Sequence, residues 1–561
     1  MKVRVIKKKT EKPYLEELLR DEYQEWKGKK ILISAPTGMG KTTFVVETLL
    51  NDARMRGKKL IILCNRRLLR LQYWYGAVKK FTDYSEIDKC VKILTYQEVA
   101  EMIKRQVSIK KFLDEYETVV CDEAHYFYAD SDFNPLGTYV LLQELTGACA
   151  TKSLIFMSAT MDKVRPLIVQ TIKNCLSRLS RTGRRTEIRD VNEQILEYDF
   201  SAFADYARFQ CACVPDWETL CQLLVESPKK SVIFVNDKEK GCVLAEQMIK
   251  TGKIERMEIA VLNADNLDSD SEVIQELAIC NRLRPKILIT TAVLDNGVSI
   301  HDSEVGNVLI ETESKIEFLQ MLGRVRAELV DECKLYFVQR DKKEFLNRKN
   351  QYEAELGALK KLTSGELRTN REFYIQTLWD DDNTAKFYRK VLVWMKFDSQ
   401  FYVWPENETL AFNKKFDFYV NEFARHKIGD MYVAESRFYA LALEGPLKVI
   451  YEQMAWIDKE PDELQVLQSE YLKMREQEFV GFLLEVQNYT PEDLKEYKKV
   501  MVRKYRKDFF ADILANNGTI SNDKLQMICE RYGLIFEDHE DPENRRKLYS
   551  IKIVERDLRE E

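Results

Sequence analysis

The chain has 561 residues, of which 45% are apolar and 32% are charged, and its formal net charge is −5. This length exceeds what one hydrophobic core supports, so we expect two to four globular domains. The negative net charge excludes global attraction to nucleic acid, so any binding of that kind requires local basic patches.

The first residues, MKVRVIKKKTEK, are basic but lack the apolar core of a signal peptide. We find no apolar run of the length that a membrane span needs. The 12 cysteines are scattered singly, mostly inside apolar runs, which is typical of free thiols in a reducing compartment. We therefore expect a cytoplasmic protein with no membrane partner.

Short apolar runs alternate with longer helical segments in two successive series. This alternation predicts parallel sheets with crossover helices, in a first α/β domain at residues 1–190 and a second at residues 191–343. The runs of the first series are 31–33, 60–63, 91–94, 118–121 and 154–157, and those of the second are 195–200, 231–235, 259–262, 287–290, 308–310 and 335–338.

The stretch SAPTGMGKTT lies between the first apolar run and a helical segment. It matches the phosphate-binding pattern G-x-x-x-x-G-K-[ST] except at the first position, where Ala35 replaces glycine. Gly38 and Gly40 permit a tight turn whose N–H groups face phosphate. Lys41 is placed to reach the β- and γ-phosphates, and Thr42 to hold Mg²⁺. The pattern assigns to the nucleotide Ala35, Pro36, Thr37, Gly38, Met39, Gly40, Lys41, Thr42 and Thr43.

A second phosphate-site element, Asp122-Glu-Ala-His125, follows the run 118–121. A strand that ends in two carboxylates places them at the carboxyl edge of a parallel sheet, where the phosphate loop also lies. We expect Asp122 to hold Mg²⁺ and Glu123 to accept the proton of the attacking water. His125 is placed to relay between phosphate and protein.

These two elements strongly resemble superfamily 2 helicases of the DEAH type. The resemblance covers roughly residues 15–340 and implies two tandem RecA-like parallel-sheet domains that hydrolyse ATP, with Mg²⁺, in the cleft between them. It also implies movement along single-stranded or partly duplex nucleic acid. The segments that carry it are, in chain order, 35–42, 65–72, 95–97, 122–125, 158–160, 231–235, 290–300 and 320–326.

The resemblance further implies roles for individual residues. Arg324 and Arg326 of the second domain would reach the γ-phosphate on the first, which makes hydrolysis depend on domain closure. Gln320 would support the attacking water or the phosphate, Gly323 would allow close approach of its helix, and Gly297 would contact the nucleotide. The implied nucleic-acid or coupling residues are Arg66, Gln72, Thr95, His125, Ser158, Thr160, Thr290 and Thr291.

Two departures from the family favour DNA over RNA. Val325 precedes Arg326 where RNA-processing DEAH enzymes usually show a Gly-Arg pair after a one-residue spacer, and the segment 65–72 also differs from theirs. Two other functions stay open. One is a non-unwinding ATPase subunit that powers a partner nuclease or remodels a nucleoprotein complex, and the other is a nucleotide-gated scaffold with little turnover.

The last part of the chain is less informative. Residues 344–507 are rich in Glu, Lys, Leu, Tyr and Phe with little alternation, which predicts a mostly helical accessory domain and a possible surface for a protein partner. Residues 508–561 predict a winged-helix-like or small α/β appendage, with a helix at 512–518, Ser521 as the N-cap of a second helix, and two short strands.

Overall fold

The chain forms two compact units, Met1–Gln465 and Val466–Glu561. The computed structural model describes residues 2–5, 14–81, 84–181, 194–263, 273, 276, 282–291, 300–325, 333–363, 387, 391–396, 416–467, 470–505, 520–542 and 545–553.

The first α/β domain alternates strands with crossover helices, as predicted. Its strands are β1 (Lys2–Val5), β2 (Lys30–Ser34), β3 (Leu60–Cys64), β4 (Val91–Thr95), β5 (Thr118–Cys121), β6 (Ser153–Ser158) and β7 (Ile195–Asp199). Its α-helices are α1 (Leu15–Leu19), α2 (Lys41–Thr43), α3 (Asn51–Met55), α4 (Arg67–Val78), α5 (Tyr84–Cys90), α6 (Tyr96–Lys104), α7 (Ile109–Leu113), α8 (Tyr126–Ala129), α9 (Leu141–Ala148) and α10 (Val164–Arg181). A 3₁₀ turn spans Glu22–Trp26, and π-helical segments at Phe44–Leu50 and Leu136–Val140 precede α3 and α9.

The seven strands form one sheet in the order β1-β7-β2-β6-β5-β3-β4. Every pairing between them is parallel. Leu32 packs into the hydrophobic core on one face, while Ile31 and Ile33 pack into the core on the other. Because helices cover both faces, the strands are apolar throughout, and their carboxyl ends meet at one polar edge.

The predicted boundary between the α/β domains at residue 190 is wrong. The run 195–200 was expected to begin the second domain, but β7 lies inside the first sheet, between β1 and β2, with Leu196 paired to both Lys2 and Ile31. A strand that follows a long crossover can return to the sheet it left or begin another. The apolar pattern is the same in both cases, so the sequence does not distinguish them.

The second α/β domain repeats the architecture. Its strands are β8 (Phe209–Val214), β9 (Lys230–Phe234), β10 (Ile259–Leu262), β11 (Ile287–Thr290), β12 (Val305–Ile310) and β13 (Cys333–Val338). Its helices are α11 (Trp217–Glu226), α12 (Lys238–Lys250) and α13 (Lys315–Leu322), with 3₁₀ turns at Ser201–Phe203 and Arg256–Glu258. The strands run in the order β10-β11-β9-β12-β13-β8, again with parallel pairings. The predicted fold class, two tandem RecA-like domains followed by a mostly helical region, is confirmed.

The described residues of the first unit that follow β13 form helices, one hairpin and a short strand. Its elements are α14 (Lys342–Thr363), β14 (Leu392–Lys396), β15 (Phe416–Val420), α15 (Glu422–Glu444), α16 (Pro446–Ala455), a 3₁₀ turn (Pro461–Glu463) and β16 (Gln465–Val466), which ends the second sheet beside β8. The antiparallel β14–β15 hairpin was not predicted. Helix α15 begins at the N-cap Asn421, whose side chain accepts hydrogen bonds from the next turn, and it packs along α14.

The second unit is larger than the appendage predicted at residues 508–561. It contains α17 (Glu470–Leu484), α18 (Pro491–Tyr505), α19 (Asn522–Arg531), β17 (Leu534–Glu540) and β18 (Lys547–Ile553). One core holds them together, since Leu483 and Met501 of the two helices pack with Leu525 and Ile551, so the predicted boundary after residue 507 is wrong.

Two predicted features of this unit are confirmed. Ser521 caps α19 by accepting a hydrogen bond from the Lys524 amide at 3.2 Å, and the two predicted strands pair as an antiparallel hairpin. The helix predicted at 512–518 lies outside the described residues, so the winged-helix outline stays a prediction. Among the helices that the structure describes, none is both long and apolar enough to cross a lipid bilayer.

Candidate active site

The phosphate loop leaves β2 at the carboxyl edge of the first sheet. Gly38 and Gly40 have φ values of 87° and 75°, in the left-handed region that favours glycine. Lys41 starts the following helical segment, and its Nζ donates to the Ala35 carbonyl at 2.9 Å, within the loop. The loop therefore makes a tight turn at its two glycines, and the contact of Lys41 with nucleotide phosphates stays a prediction.

Asp122 and Glu123 follow β5 at the same edge. The Asp122 amide donates to the Leu63 carbonyl and the Ala124 amide to the Met157 carbonyl, both at 2.8 Å, so the neighbouring strands fix this segment. Glu123 has a φ of 50°, which costs a side-chain-bearing residue on the order of 1–3 kcal/mol. Such strain persists where the surrounding structure over-determines the backbone, as it does here.

The Asp122 carboxylate is held on both oxygens. Its Oδ1 accepts from the Glu123 amide at 2.9 Å, and its Oδ2 accepts from the Tyr73 hydroxyl at 2.6 Å. Burial and the neighbouring Glu123 raise the pKa of Asp122 to about 6, although Lys41 and the Tyr73 hydrogen bond lower it. The carboxylate is therefore ionised at neutral pH and available to a cation.

Arg324 crosses from the second domain to the first. Its Nη2 lies 2.8 Å from Glu123 Oε1, and both side chains are about 95% buried, with exposed fractions of 5% and 4%. Burial alone would raise the pKa of Glu123, but Arg324, His125 and Lys41 together hold it well below its usual range. The base predicted on the first domain is thus paired with an arginine of the second.

Two further contacts close the cleft. Gln320 Nε2 donates to Thr160 Oγ1 at 2.5 Å. A Cβ atom at Gly323 would lie 2.4 Å from Thr37 Oγ1 of the phosphate loop, so the close approach predicted for this position requires glycine. The helix that carries Gln320 therefore contacts both the loop and the end of β6.

His125 connects the two carboxyl-edge segments of the first domain. Its Nδ1 lies 3.1 Å from Ser158 Oγ and 3.4 Å from Glu123 Oε2. Ser158 Oγ in turn accepts from the Thr160 amide at 3.1 Å. A continuous set of polar contacts therefore runs from Glu123 through His125, Ser158 and Thr160 to Gln320.

The side chains at this edge fit a magnesium nucleotide. Mg²⁺ prefers hard oxygen ligands, and the Thr42 hydroxyl and the Asp122 carboxylate supply two of them on either side of Tyr73. Glu123 Oε2 and Gln320 Oε1 are buried without a hydrogen bond. Buried polar atoms of this kind mark positions where a ligand or water completes the site.

The predicted nucleic-acid residues of the first domain have partners within the protein. Arg66 Nη1 lies 3.7 Å from Asp130 Oδ2, and Gln72 is half-buried on α4. Thr95 is buried and caps α6, because its hydroxyl accepts from the Glu98 amide at 3.2 Å. Thr95 therefore has a capping role in the fold, and its contact with a nucleic-acid phosphate stays a prediction.

The predicted residues of the second domain are only partly described. Thr290 is buried at the end of β11, with its hydroxyl donating to the Thr291 carbonyl, and the Thr291 amide donates to the Leu262 carbonyl. Arg326 and Gly297 lie outside the described residues, so their contacts with nucleotide stay predictions.

Two residues at the site were not predicted. Tyr73 directly follows the segment 65–72 that resembles a family motif, but nothing in the sequence indicates that its hydroxyl reaches Asp122. Tyr14 is 59% exposed, and its ring lies 3.0 Å from the position of a Cβ on Gly40. Both are brought to the site by tertiary packing.

Comparison with known proteins agrees with this arrangement. Residues 19–167 match the DEAD/DEAH box helicase family. No curated protein matches the chain in sequence. Similar solved structures include S. cerevisiae Dbp5 bound to RNA and ADP BeF3, with a TM-score of 0.42, 18% identity, and 56% of this chain and 80% of that chain covered.

Two further similar structures are longer proteins. The Escherichia coli DEAH/RHA helicase HrpB has a TM-score of 0.39 and 15% identity, with 57% of this chain and 42% of that chain covered. The Mycobacterium smegmatis helicase Lhr, bound to ssDNA and AMP-PNP, has a TM-score of 0.38 and 17% identity, with 55% and 44% covered. The family match at residues 19–167 includes both the phosphate loop and the Asp122-Glu-Ala-His125 segment.

Proposed function

We propose that this protein is an ATP-dependent motor of the superfamily 2, DEAH-type class that moves along or unwinds nucleic acid, with DNA favoured over RNA. The observation that carries the proposal is the contact between Arg324 of the second domain and Glu123 of the first, at 2.8 Å. An enzyme that only binds or phosphorylates a small molecule has no need of a second domain whose arginine reaches its catalytic carboxylate.

The chemistry assigned to the first domain is proton transfer and phosphate binding. Lys41 and the amides of the loop would bind the phosphates of ATP, and Thr42 and Asp122 would hold the Mg²⁺, which supplies neutralisation of phosphate charge. Glu123 would take the proton of the attacking water. His125 contacts Glu123 and limits its rotation.

Arg324 has two partners in this mechanism. A guanidinium grips either a carboxylate or a phosphoryl group with the same planar fork. While Arg324 pairs with Glu123, it neutralises the base. When it transfers to the phosphoryl group, it stabilises the charge of the transition state and leaves Glu123 free to accept a proton. Hydrolysis then depends on how the two domains are placed, which links the nucleotide to their movement.

The nucleic-acid side rests on Arg66, Thr95, Thr290 and Thr291, at or just beyond the carboxyl ends of strands in the two sheets, and on Gln72 of α4. Contacts from such residues to one strand's phosphates make binding largely independent of sequence. The preference for DNA rests on Val325 and on the segment 65–72, which depart from RNA-processing DEAH enzymes. We also propose that the protein is cytoplasmic and that its helical region binds a protein partner.

The decisive experiment measures steady-state ATPase rate with single-stranded DNA, single-stranded RNA and duplex in parallel, together with strand displacement. We expect stimulation by single strands, larger with DNA, and displacement of a partly duplex substrate. Lys41→Ala should lose nucleotide binding and serves as the background. Stimulation without displacement would favour the motor subunit of a partner protein, and nucleotide binding without turnover would favour the gated scaffold.

A further inference from the structure

Tyr73 lies between the two side chains assigned to Mg²⁺. It is on α4, is fully buried, and donates its hydroxyl proton to Asp122 Oδ2 at 2.6 Å. The Thr42 side chain lies beside this hydroxyl. The phenol therefore connects a residue of the phosphate loop to a residue after β5, which are 80 positions apart in the chain.

The direction of the Tyr73 hydrogen bond decides which oxygen lone pairs remain available to a cation. A carboxylate has two oxygens with about four lone-pair sites. Because Tyr73 donates to Oδ2 of Asp122, it fixes the direction of the carboxylate and leaves the remaining lone pairs available to a metal. Thr42 lies beside the same phenol, so both candidate ligands adjoin one buried side chain.

We propose that Tyr73 is a positioning residue for magnesium, which orients the Asp122 carboxylate beside Thr42 before the metal nucleotide arrives. This inference rests on the proposed function, since it assumes that a magnesium nucleotide binds here. Partners that orient metal ligands from behind typically change metal affinity or activity by about 10–100-fold when they are removed.

The chain offers a matched control in Tyr96. This tyrosine is also fully buried, and its hydroxyl donates to the backbone carbonyl of Asp122 at 2.8 Å. Tyr73→Phe and Tyr96→Phe therefore remove the same atom from the same kind of environment beside the same residue. Only Tyr73→Phe removes a hydrogen bond from the carboxylate that faces the metal.

The test uses the full chain and a fluorescent, non-hydrolysable ATP analogue. Its affinity is measured in EDTA and over a series of Mg²⁺ concentrations, so the readout is binding and not turnover. We expect the Mg²⁺ concentration for half-maximal binding to rise about tenfold in Tyr73→Phe. It should be unchanged in Tyr96→Phe, and all three proteins should bind the analogue equally in EDTA.

Each other outcome overturns the inference in a recognisable way. An unchanged or lower Mg²⁺ requirement in Tyr73→Phe shows that its hydroxyl does not position the ligands. Equal increases in both variants indicate a general effect of losing a buried hydroxyl. If Tyr73→Phe binds the analogue more weakly in EDTA, Tyr73 supports the shape of the phosphate loop and not the metal ligands. If the unmodified protein shows no Mg²⁺-dependent binding, the proposed function fails as well.

Discussion

Among the described residues, the first α/β domain meets the rest of its unit at the nucleotide cleft and at helix α15, and these two contacts differ in character. Across the nucleotide cleft, the contacts join the tips of polar side chains, Arg324 to Glu123 and Gln320 to Thr160. At helix α15, the contacts include the chain directly after the DEAH segment and a lysine whose side chain is 17% exposed. The first set follows from motifs in the sequence, and the second does not.

Lys427 is the centre of the α15 contact. Its Nζ donates to the Ala129 carbonyl and to Asp132 Oδ1, the latter at 2.7 Å. Burial by itself would lower the pKa of Lys427, but Asp132 and Glu317 raise it to about 12. Asp132 belongs to the first domain and Glu317 to the second. One cation therefore lies between carboxylates of both domains.

The rest of α15 divides between the two domains. Near its first half, Asp430 accepts from the Tyr128 hydroxyl at 2.7 Å. Further along, Glu435 lies 3.8 Å from Arg348 of α14, which also pairs with Glu313 at the end of β12. Helix α15 is thus joined to both domains without passing through the cleft.

The difference between the cleft contacts and the α15 contact indicates which of them changes when nucleotide binds. A phosphoryl group competes with Glu123 for Arg324, because both are planar or trigonal arrays of negative oxygens. Nothing in the nucleotide site competes for Lys427. We therefore expect substitutions at the cleft to change the rate of the chemical step, and substitutions at α15 to change stability with less effect on that step.

The largest effect is expected from Arg324→Ala. Arginines that act on a phosphoryl group from another domain are worth roughly 10³–10⁵ in rate. Nucleic-acid-stimulated ATPase should fall by that order, with nucleotide affinity nearly intact, and Arg324→Lys should not restore it. The matched control is Arg348→Ala, an arginine of the α15 contact, which should lower the unfolding midpoint and leave the stimulated rate within a few-fold. Full stimulation in Arg324→Ala would remove the basis for a closing motor.

Glu123→Gln should have the next largest effect. The amide keeps the shape of the side chain but cannot take a proton, and loss of a general base costs roughly 10²–10⁴ in rate. Binding of ATP, measured by equilibrium titration, should persist. Glu197→Gln is the control, because Glu197 is also buried and paired with an arginine, Arg165, but lies away from the cleft. Normal turnover in Glu123→Gln would assign the base to another residue.

The sequence was sufficient for features that depend on neighbouring residues. Gly38, Lys41 and Asp122 belong to short patterns whose geometry is set within a few residues of a strand end. Tyr73 and Lys427 could not be predicted in the same way. Their roles depend on which distant residue each one meets in the folded chain, and a buried tyrosine or lysine has the same local pattern whether or not it meets a carboxylate.

The same reasoning explains the errors in domain limits. Strand β7 has the alternation expected of any buried strand, but its membership of the first sheet is decided by pairing with β2. The last unit includes α17 and α18 because Leu483 and Met501 share a core with the hairpin. Helical periodicity reports which face is buried and not which domain buries it.

Lys427→Met tests the α15 contact directly. Methionine keeps the volume but removes the cation that Asp132 pairs with, and losing a partly buried hydrogen bond to a charged group costs roughly 1.5–3 kcal/mol. The unfolding midpoint in urea should fall accordingly, while ATPase rate under folding conditions changes much less than in Arg324→Ala. Lys163→Met is the control, since its pair with Asp430 is half-exposed and worth about 1 kcal/mol or less. Equal midpoints for both variants would contradict a structural role for Lys427.

The double substitution Ser158→Ala with Thr160→Ala should separate hydrolysis from movement. It removes the contacts to His125 and Gln320 but leaves Glu123 and Arg324 in place. Networks of this kind modulate coupling by about 0.5–2 kcal/mol, so strand displacement should fall roughly 2–30-fold more than ATPase rate. Ser153→Ala, at the opposite end of β6, should change neither. Equal losses of both activities would argue against a coupling role.

The smallest effect concerns the pH dependence of the α15–α14 contact. Burial and the nearby Glu313 raise the pKa of Glu435 to about 8, although Arg348 and Arg340 lower it. A carboxyl whose pKa is raised on folding contributes stability that is complete below its unfolded pKa of about 4.5 and is lost as the pH rises through 8. Glutamine stays neutral throughout this window, so Glu435→Gln should be close to the unmodified protein near pH 5 and more stable by roughly 1–3 kcal/mol near pH 8.

The measurement is the urea midpoint across this range, with the exposed Glu444→Gln as a control that should show no trend. A difference that does not grow with pH would mean that Glu435 is ionised in the folded protein and that its pair with Arg348 is stronger than the 3.8 Å separation indicates.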